Sequence, residues 1–369
     1  MPSKKQKKRK KSFVRTKMCT FALVISTMRN IAWLLALLLV LAACSGRAPQ
    51  AVPDAEPGVY YWRTSLSLDS AERAFLAQHD IKKIYLRVFD VGVGQSGRPV
   101  PVATLSFADA LPAGVRVVPV VFMTEECLRA DTTALAQRMV RRVMKMVDAE
   151  GLPGVSELQI DCDWTPRSRE AFFSFLKRVS ALLKAKGWRL SVTIRLHQLS
   201  QPAPPADYGV LMLYNTGDMR SRTARNPIFA SEDMEPYIEA LPAYDLPLCA
   251  AYPNFAWKRL FDGERFKGFL YSETLADSTV YAPLKRDSLY RVVQGRTIHG
   301  AVAAHYDLHL SPGDEVVVSR PHADEVMAMA RRLERLRPGL HAGTIIYHLD
   351  HSSLNTYTSQ QYETLYHLH

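Results

Sequence analysis

The sequence is short of cysteine, lacks a glycine-rich phosphate loop, and beyond residue 43 has no excess of either charge. Each absence removes a class of protein. Of five cysteines, Cys19 and Cys44 belong to the N-terminal segment, leaving Cys127, Cys162 and Cys249. Three thiols do not make a disulfide framework, and no Cys/His spacing suggests a zinc site. Cys162 and Cys249 sit in apolar, strand-like runs, so buried free thiols are expected. No glycine-rich turn follows the first strand-like segment, which removes the usual ground for an open dinucleotide-binding sheet; no cofactor and no metal are expected. The formal charge of +11 comes from 47 basic against 36 acidic residues, but ten of the basic ones and none of the acidic ones precede residue 44. Without those ten the balance is 37 to 36. A nucleic-acid binder carries its positive excess on the folded domain, so no nucleic-acid partner is expected.

What the N-terminus does contain is a basic stretch, then an apolar run over residues 31–43, then Leu41-Ala42-Ala43-Cys44. The run falls short of the roughly 20 apolar residues that span a bilayer, while small residues before a cleavage point suit a signal peptidase. Leu-Ala-Ala-Cys resembles the bacterial lipobox, which implies acylation of Cys44 and its exposure as the new N-terminus. Met18 or Met28 would serve as a start equally well. Ser45, rather than an acidic residue, follows the cysteine, as in lipoproteins sorted to an outer membrane. The expected organisation is a signal peptide over 1–43, a lipidated, Pro/Ala/Gly-rich tether over 44–57, and one domain over 58–369. The expected location is the bacterial cell envelope, with the membrane as a partner through the lipid.

In that domain, β-branched runs alternate with amphipathic stretches. Strands are expected over 59–65, 84–90, 115–122, 157–163, 190–197, 208–214, 247–252 and 344–349. Helices are expected over 69–78, 133–149, 167–186, 232–240 and 322–336. In the third helix, Phe172, Phe173, Leu176, Val179, Leu182 and Leu183 follow the helical period. Eight strands with intervening helices over about 300 residues predict a (β/α)8 barrel. The alternation breaks between about 271 and 321, which predicts a small insertion between the seventh strand and its helix, on the C-terminal rim.

Polar residues sit where a barrel strand is normally apolar. On Glu157-Leu158-Gln159-Ile160-Asp161-Cys162-Asp163, alternation puts Gln159, Asp161 and Asp163 on the face opposite Leu158, Ile160 and Cys162. The next strand repeats the pattern with Ser191, Thr193, Arg195 and His197, so Asp161 or Asp163 should meet Arg195 and His197. Buried polar groups are costly unless paired or used: the set is either a structural layer or a site at the strand ends. Tyr60, Trp62, Tyr214, Tyr252 with Trp257, and Tyr347 would offer flat faces to sugar rings, or fill the core. The C-terminal histidines His348, His351, His367 and His369 match no ligand spacing, and a solvated tail is expected there.

Ile160-Asp161-Cys162-Asp163-Trp164-Thr165-Pro166 resembles the fourth-strand signature of the chitinase-like barrels, glycoside hydrolase family 18, which reads Asp-Gly-Ile-Asp-Ile-Asp-Trp-Glu. Leu211-Met212-Leu213-Tyr214-Asn215 is similar to that family's sixth-strand Met-x-Tyr-Asp. The segment from Gly343 through Thr344-Ile345-Ile346-Tyr347-His348-Leu349-Asp350 is similar to its eighth strand, where Trp often takes the place of Tyr347. The resemblance implies a lipoprotein branch of that family that binds a glycan. It also implies departures. The catalytic glutamate is Thr165, the sixth-strand aspartate is Asn215, and the third strand ends in Phe122-Met123-Thr124-Glu125-Glu126 rather than Gly-Gly. Losing a general acid typically removes about 10²–10⁴-fold in rate. Substitute carboxylates would be Asp163 with Asp161 or Glu125, and the groove would use Trp62, Arg195, His197, Tyr214, Asn215, Tyr252, Tyr347 and Asp350. Three functions stay open at this point: a glycan-binding barrel, a hydrolase with a rearranged acid, and a structural or assembly lipoprotein.

Overall fold

The computed structural model describes residues 51–271, 273–285, 287–299 and 307–368. The signal segment, Cys44 and the tether up to residue 50, together with His369, lie outside the described residues. All eight expected strands are present: β1 (Gly58–Tyr61), β2 (Lys83–Val93), β3 (Arg116–Met123), β4 (Glu157–Cys162), β5 (Arg189–Ile194), β6 (Tyr208–Met212), β7 (Leu248–Pro253) and β8 (Ile345–Tyr347). Each pairs in parallel with the next, and β1 pairs with both β2 and β8, closing a (β/α)8 barrel. One further strand, Pro99–Val102, folds back antiparallel on the extended end of β2.

The helices α1 (Ser70–Gln78), α2 (Thr132–Glu150), α3 (Arg169–Lys184), α4 (Ser231–Ile238), α5 (Ala323–Leu336) and α6 (Ser359–Tyr366) cover the barrel. Their starts follow from capping chemistry. Asp69 and Glu72 form a reciprocal capping box on α1, and the Asp131 carboxylate accepts from the first free amides of α2. On α3, Phe172, Phe175, Leu176, Val179 and Leu183 are buried; Phe175 takes the core position expected for Phe173 and Leu182, which are only partly buried. The C-terminus is not a solvated tail. Thr358 caps α6, which buries Tyr362, Leu365 and Tyr366 against the barrel, because its aromatic residues fall on one helical face. His348 belongs to the β8 end, while His351 and His367 are exposed. No helix among the described residues is long and apolar enough to cross a membrane.

The N-terminal approach is also more ordered than a free tether. Asp54 accepts from Arg189 (2.6 Å) and from Lys83 Nζ through its carbonyl (3.0 Å), and Glu56 pairs with Arg116, so residues 51–57 lie under the N-terminal ends of the strands. Cys127, Cys162 and Cys249 are buried free thiols.

The insertion leaves the barrel at the C-terminal end of β7 and returns at α5. It begins at Trp257, ahead of the break expected at 271, because Trp257–Asp262 and Arg265–Phe269 are its first two strands. With Glu315–Ser319, Leu289–Val292 and Tyr281–Lys285 they make a five-stranded antiparallel sheet. This sheet has its own small core around Leu260, Tyr281, Val292 and Val316. It is fixed to the loop after β6 by the buried Arg259 guanidinium, which donates to the carbonyls of Met219 (3.1 Å) and Ser221 (2.8 Å).

Candidate functional site

The barrel interior is polar from one end to the other, and most of that polarity is internally satisfied. Near the N-terminal ends, Glu157 accepts from Ser191 Oγ (2.5 Å) and Tyr208 Oη (2.6 Å), and Tyr208 bonds Tyr85 (2.8 Å). One layer higher, Tyr60 donates to Gln159 across the barrel (2.6 Å). These groups hold the strands in register and are closed to solvent.

The next layer reaches the mouth. Asp161, 2% exposed, accepts from Thr193 Oγ1 (2.6 Å) and Arg195 (3.2 Å). Arg195 also pairs with Asp163, whose side chain is 58% exposed. Burial raises the Asp161 pKa, outweighing the guanidinium and the Thr193 hydroxyl that pull it down. Burial works against the Arg195 charge too, but Asp161 and Asp163 together overcome it and push its pKa above the ordinary value. The expected meeting of Asp161, Asp163 and Arg195 is therefore present. His197 is not part of it. β5 ends at Ile194, the chain turns into a short 3-10 helix, and His197 is exposed. Gln198 takes the inner place instead, bonding the Arg195 amide (2.9 Å) and the Trp164 carbonyl (3.0 Å).

Glu125 sits in a 3-10 turn after β3 and accepts from Thr165 Oγ1 at 2.5 Å. Hydroxyls of Ser168 and Thr165 hold its carboxyl below the usual range. Both residues line a separate cleft of about 510 Å³ beside the start of α3, together with Leu128, Arg129 and Pro166. A carboxylate held ionised in this way is a poor proton donor.

The mouth carries a continuous strip of aromatic rings. Trp62 contacts Tyr347 (centroids 5.8 Å), Tyr347 contacts Phe255 (5.6 Å), Phe255 contacts Trp257 (5.5 Å), Trp257 contacts Phe269 (5.2 Å), and Phe269 contacts Tyr271 (5.4 Å). The strip runs from the barrel axis onto the insertion, ending at Tyr271, which is 63% exposed. Tyr214 stacks on Tyr347 at 4.9 Å and 28°, and its buried hydroxyl has no partner among the described residues. Along the outer rings lies a cleft of about 710 Å³ between the insertion and the loop after β8, lined also by Arg63, Lys258, Arg320, His348 and Asp350. The insertion thus forms one wall of this cleft.

The β8 side of this cleft is braced from beneath. Glu72 of α1, with its side chain buried, accepts from Arg63 (2.7 Å) and from the amide of His351 (3.1 Å). Asp350 caps the turn after β8 by accepting from Ser352. Against the upward push of burial, Ser352 and His348 hold its carboxyl low. Burial lowers His348 to about 4, more than Asp350 can offset, so its ring is neutral at physiological pH.

Of the expected groove residues, Trp62, Tyr214, Tyr347 and Asp350 sit at the mouth. Asn215 is exposed in a left-handed turn beside it (φ 57°). Tyr252 does not face the groove. It is fully buried on the outer side of β7, stacked on His341 and bonded to its Nε2 (2.8 Å), while His341 pairs with Glu334 of α5. Arg63, Phe255, Phe269 and Tyr271 went unnoticed as site residues. Arg63 directly follows Trp62 at the end of β1, which is the one local signal available. Among the described residues no cluster of His, Cys, Asp and Glu is arranged to hold a metal.

No family model and no curated protein matches the chain in sequence. Solved structures do match in fold. A chitinase from Chromobacterium violaceum superposes with a TM-score of 0.51 at 15% identity, covering 84% of this chain and 98% of that one. A class V chitinase from Pseudomonas fluorescens gives 0.50 at 13% identity, covering 84% and 99%. At such identities the likeness concerns architecture: the chain has a chitinase-like (β/α)8 barrel.

Proposed function

We propose that this chain is a lipid-anchored envelope protein that binds a glycan in the aromatic groove at its barrel mouth and does not run the chitinase-family hydrolysis. The observation that carries this reading is the combination of a continuous ring strip from Trp62 to Tyr271 with Thr165 at the position of the family's acid. Flat aromatic faces suit the apolar faces of pyranose rings, and the structural neighbours are themselves named chitinases. Thr165 cannot donate a proton at a useful pKa, and the carboxylate it bonds, Glu125, is held in the ionised form.

A hydrolase remains the second reading because Asp161 and Asp163 share one guanidinium, and burial raises Asp161 toward the protonated form an acid catalyst needs. Glycosidases work with two carboxyl groups about 5–5.5 Å or about 6.5–9.5 Å apart. Asp161, however, is shut in by Thr193 and Arg195, which leaves little path to a leaving group. The test mixes the full-length chain, in detergent, with chitin, peptidoglycan and host-type glycans, and compares it with Asp163→Asn. Binding without product release is expected. Release that disappears in Asp163→Asn would establish the hydrolase, and no binding would favour a structural or assembly role. For the anchor, the support is the Leu41-Ala42-Ala43-Cys44 motif. Cys44→Ser should shift the chain from the membrane fraction, outer membrane by this reading, and abolish incorporation of labelled palmitate.

A further inference from the structure

The cleft along the outer half of the aromatic strip is not neutral. Arg63, Lys258 and Arg320 line it, against Asp350 as the one carboxylate in its wall among the described residues. These cations differ in how far they are already committed. Lys258 Nζ donates to the Glu273 carbonyl (2.5 Å). Arg63 spends one terminal nitrogen on Glu72, while its Nε is buried with no partner among the described residues. Arg320 is exposed and makes no side-chain hydrogen bond or ion pair among them. At the floor, His348 Nδ1 is likewise buried and unpartnered.

An uncharged sugar would cover the aromatic rings but leave Arg320 without a counter-ion, while Arg63 keeps Glu72. It would offer Arg63 and Arg320 neutral hydroxyl acceptors only, with no opposite charge of its own to offset their desolvation. A carboxylate on the sugar resolves both problems, since a guanidinium presents donors in the plane that a carboxylate accepts. The braced position of Arg63, fixed through Glu72 to the loop carrying His351, gives the site a preorganised cation in the same cleft as the exposed Arg320.

Building on the glycan-binding reading, we propose that the preferred ligand is an acidic glycan, whose sugar rings lie along Trp257, Phe269 and Tyr271 while a carboxylate meets Arg320 and Arg63. Arg320 sets this preference and the rings supply the rest of the affinity.

Calorimetry on the full-length chain in detergent tests it with oligogalacturonate, solubilised peptidoglycan strands, the carboxyl-reduced form of each, and chito-oligosaccharide. At low salt, at least one acidic glycan should bind about tenfold or more tightly than its reduced form, as expected for one charge-assisted bond. Arg320→Ala should remove most of that difference, weakening the acidic form about tenfold and the reduced form far less. Trp257→Ala should weaken both forms alike. Equal affinity for acidic and reduced forms, or a preference for chito-oligosaccharide, overturns the acidic-glycan inference and leaves glycan binding standing. Absence of binding to every glycan overturns both.

Discussion

Replacing Arg195 with Leu would strand the Asp161 carboxylate inside the barrel, and the size of the resulting loss can be worked out in advance. The Asp161 side chain is 3% exposed and would keep only its Thr193 hydrogen bond. Asp163, being mostly exposed, would lose a pair of the kind worth at most about 1 kcal/mol. Breaking a buried pair by removing one partner costs about 3–5 kcal/mol. The protein has an escape, which is to protonate Asp161. That costs about 1.4 kcal/mol for each pH unit above the ordinary aspartate value of about 3.9. The charge-related deficit is therefore capped near ~4 kcal/mol at pH 7 and near ~1.5 kcal/mol at pH 5. The sign follows from the direction of the shift. An acid whose folded pKa lies above its unfolded one stabilises the fold at low pH and loses that contribution as pH rises through the folded value. Asp161 already behaves this way in the natural protein, and the substitution exaggerates it. Urea unfolding followed by tryptophan fluorescence at pH 5 and pH 7 measures the difference, in which the other carboxylates cancel. Adding Asp161→Asn should restore most of the loss at pH 7, since the amide still accepts from Thr193 without a charge. An equal deficit at both pH values, or no recovery in the double variant, would refute the reasoning.

Two further outcomes follow from buried groups elsewhere. Arg337 is 3% exposed and donates to the carbonyls of Leu241 (2.8 Å), Tyr244 (2.8 Å) and Leu246 (2.5 Å); Leu241 and Tyr244 also accept from backbone amides, so Arg337→Met orphans the Leu246 carbonyl and should cost about 1–3 kcal/mol, read as a lowered midpoint in denaturant. His348 should titrate in the folded protein at about 4, because burial outweighs the pull of Asp350. Its contribution to stability is thus full above the ordinary histidine value and lost as pH falls through about 4, and an NMR ring titration with a midpoint near 6.5 would contradict this.

How much of this was legible beforehand depends on which residues carry the signal. Barrel strands are buried on both faces, so an apolar or aromatic residue does not reveal which face it occupies. A polar one does. Gln159, Asp161 and Thr193 announced the interior face of β4 and β5, and the structure places them there. Tyr252 could not announce its own face. It lies between Ala251, which shares the inner side with Cys249, and Pro253, and its partner His341 is 89 residues away. Alternation also holds only while a strand lasts. Extending β5 three residues too far put His197 inside, where Gln198 does the inward bonding instead.

The aromatic strip was the least accessible feature for a related reason. Its rings come from the end of β1, the first strands of the insertion and the end of β8, so no window of sequence contains it. Trp257-Lys258-Arg259-Leu260-Phe261-Asp262 mixes charge with apolar residues, and the buried Arg259 there makes its bonds to the backbone of a different loop. Such a strand cannot be told from a surface loop until its partners are known. Carboxylates and guanidinia therefore pointed to the centre of the barrel, where the structure finds a largely closed network. The open surface lies a few residues outward, built from side chains whose individual signals were those of ordinary core. Trp257 and Asp350 already pointed to this surface; Phe269, Tyr271 and Arg320, which complete the cleft with them, carried no local signal of their own.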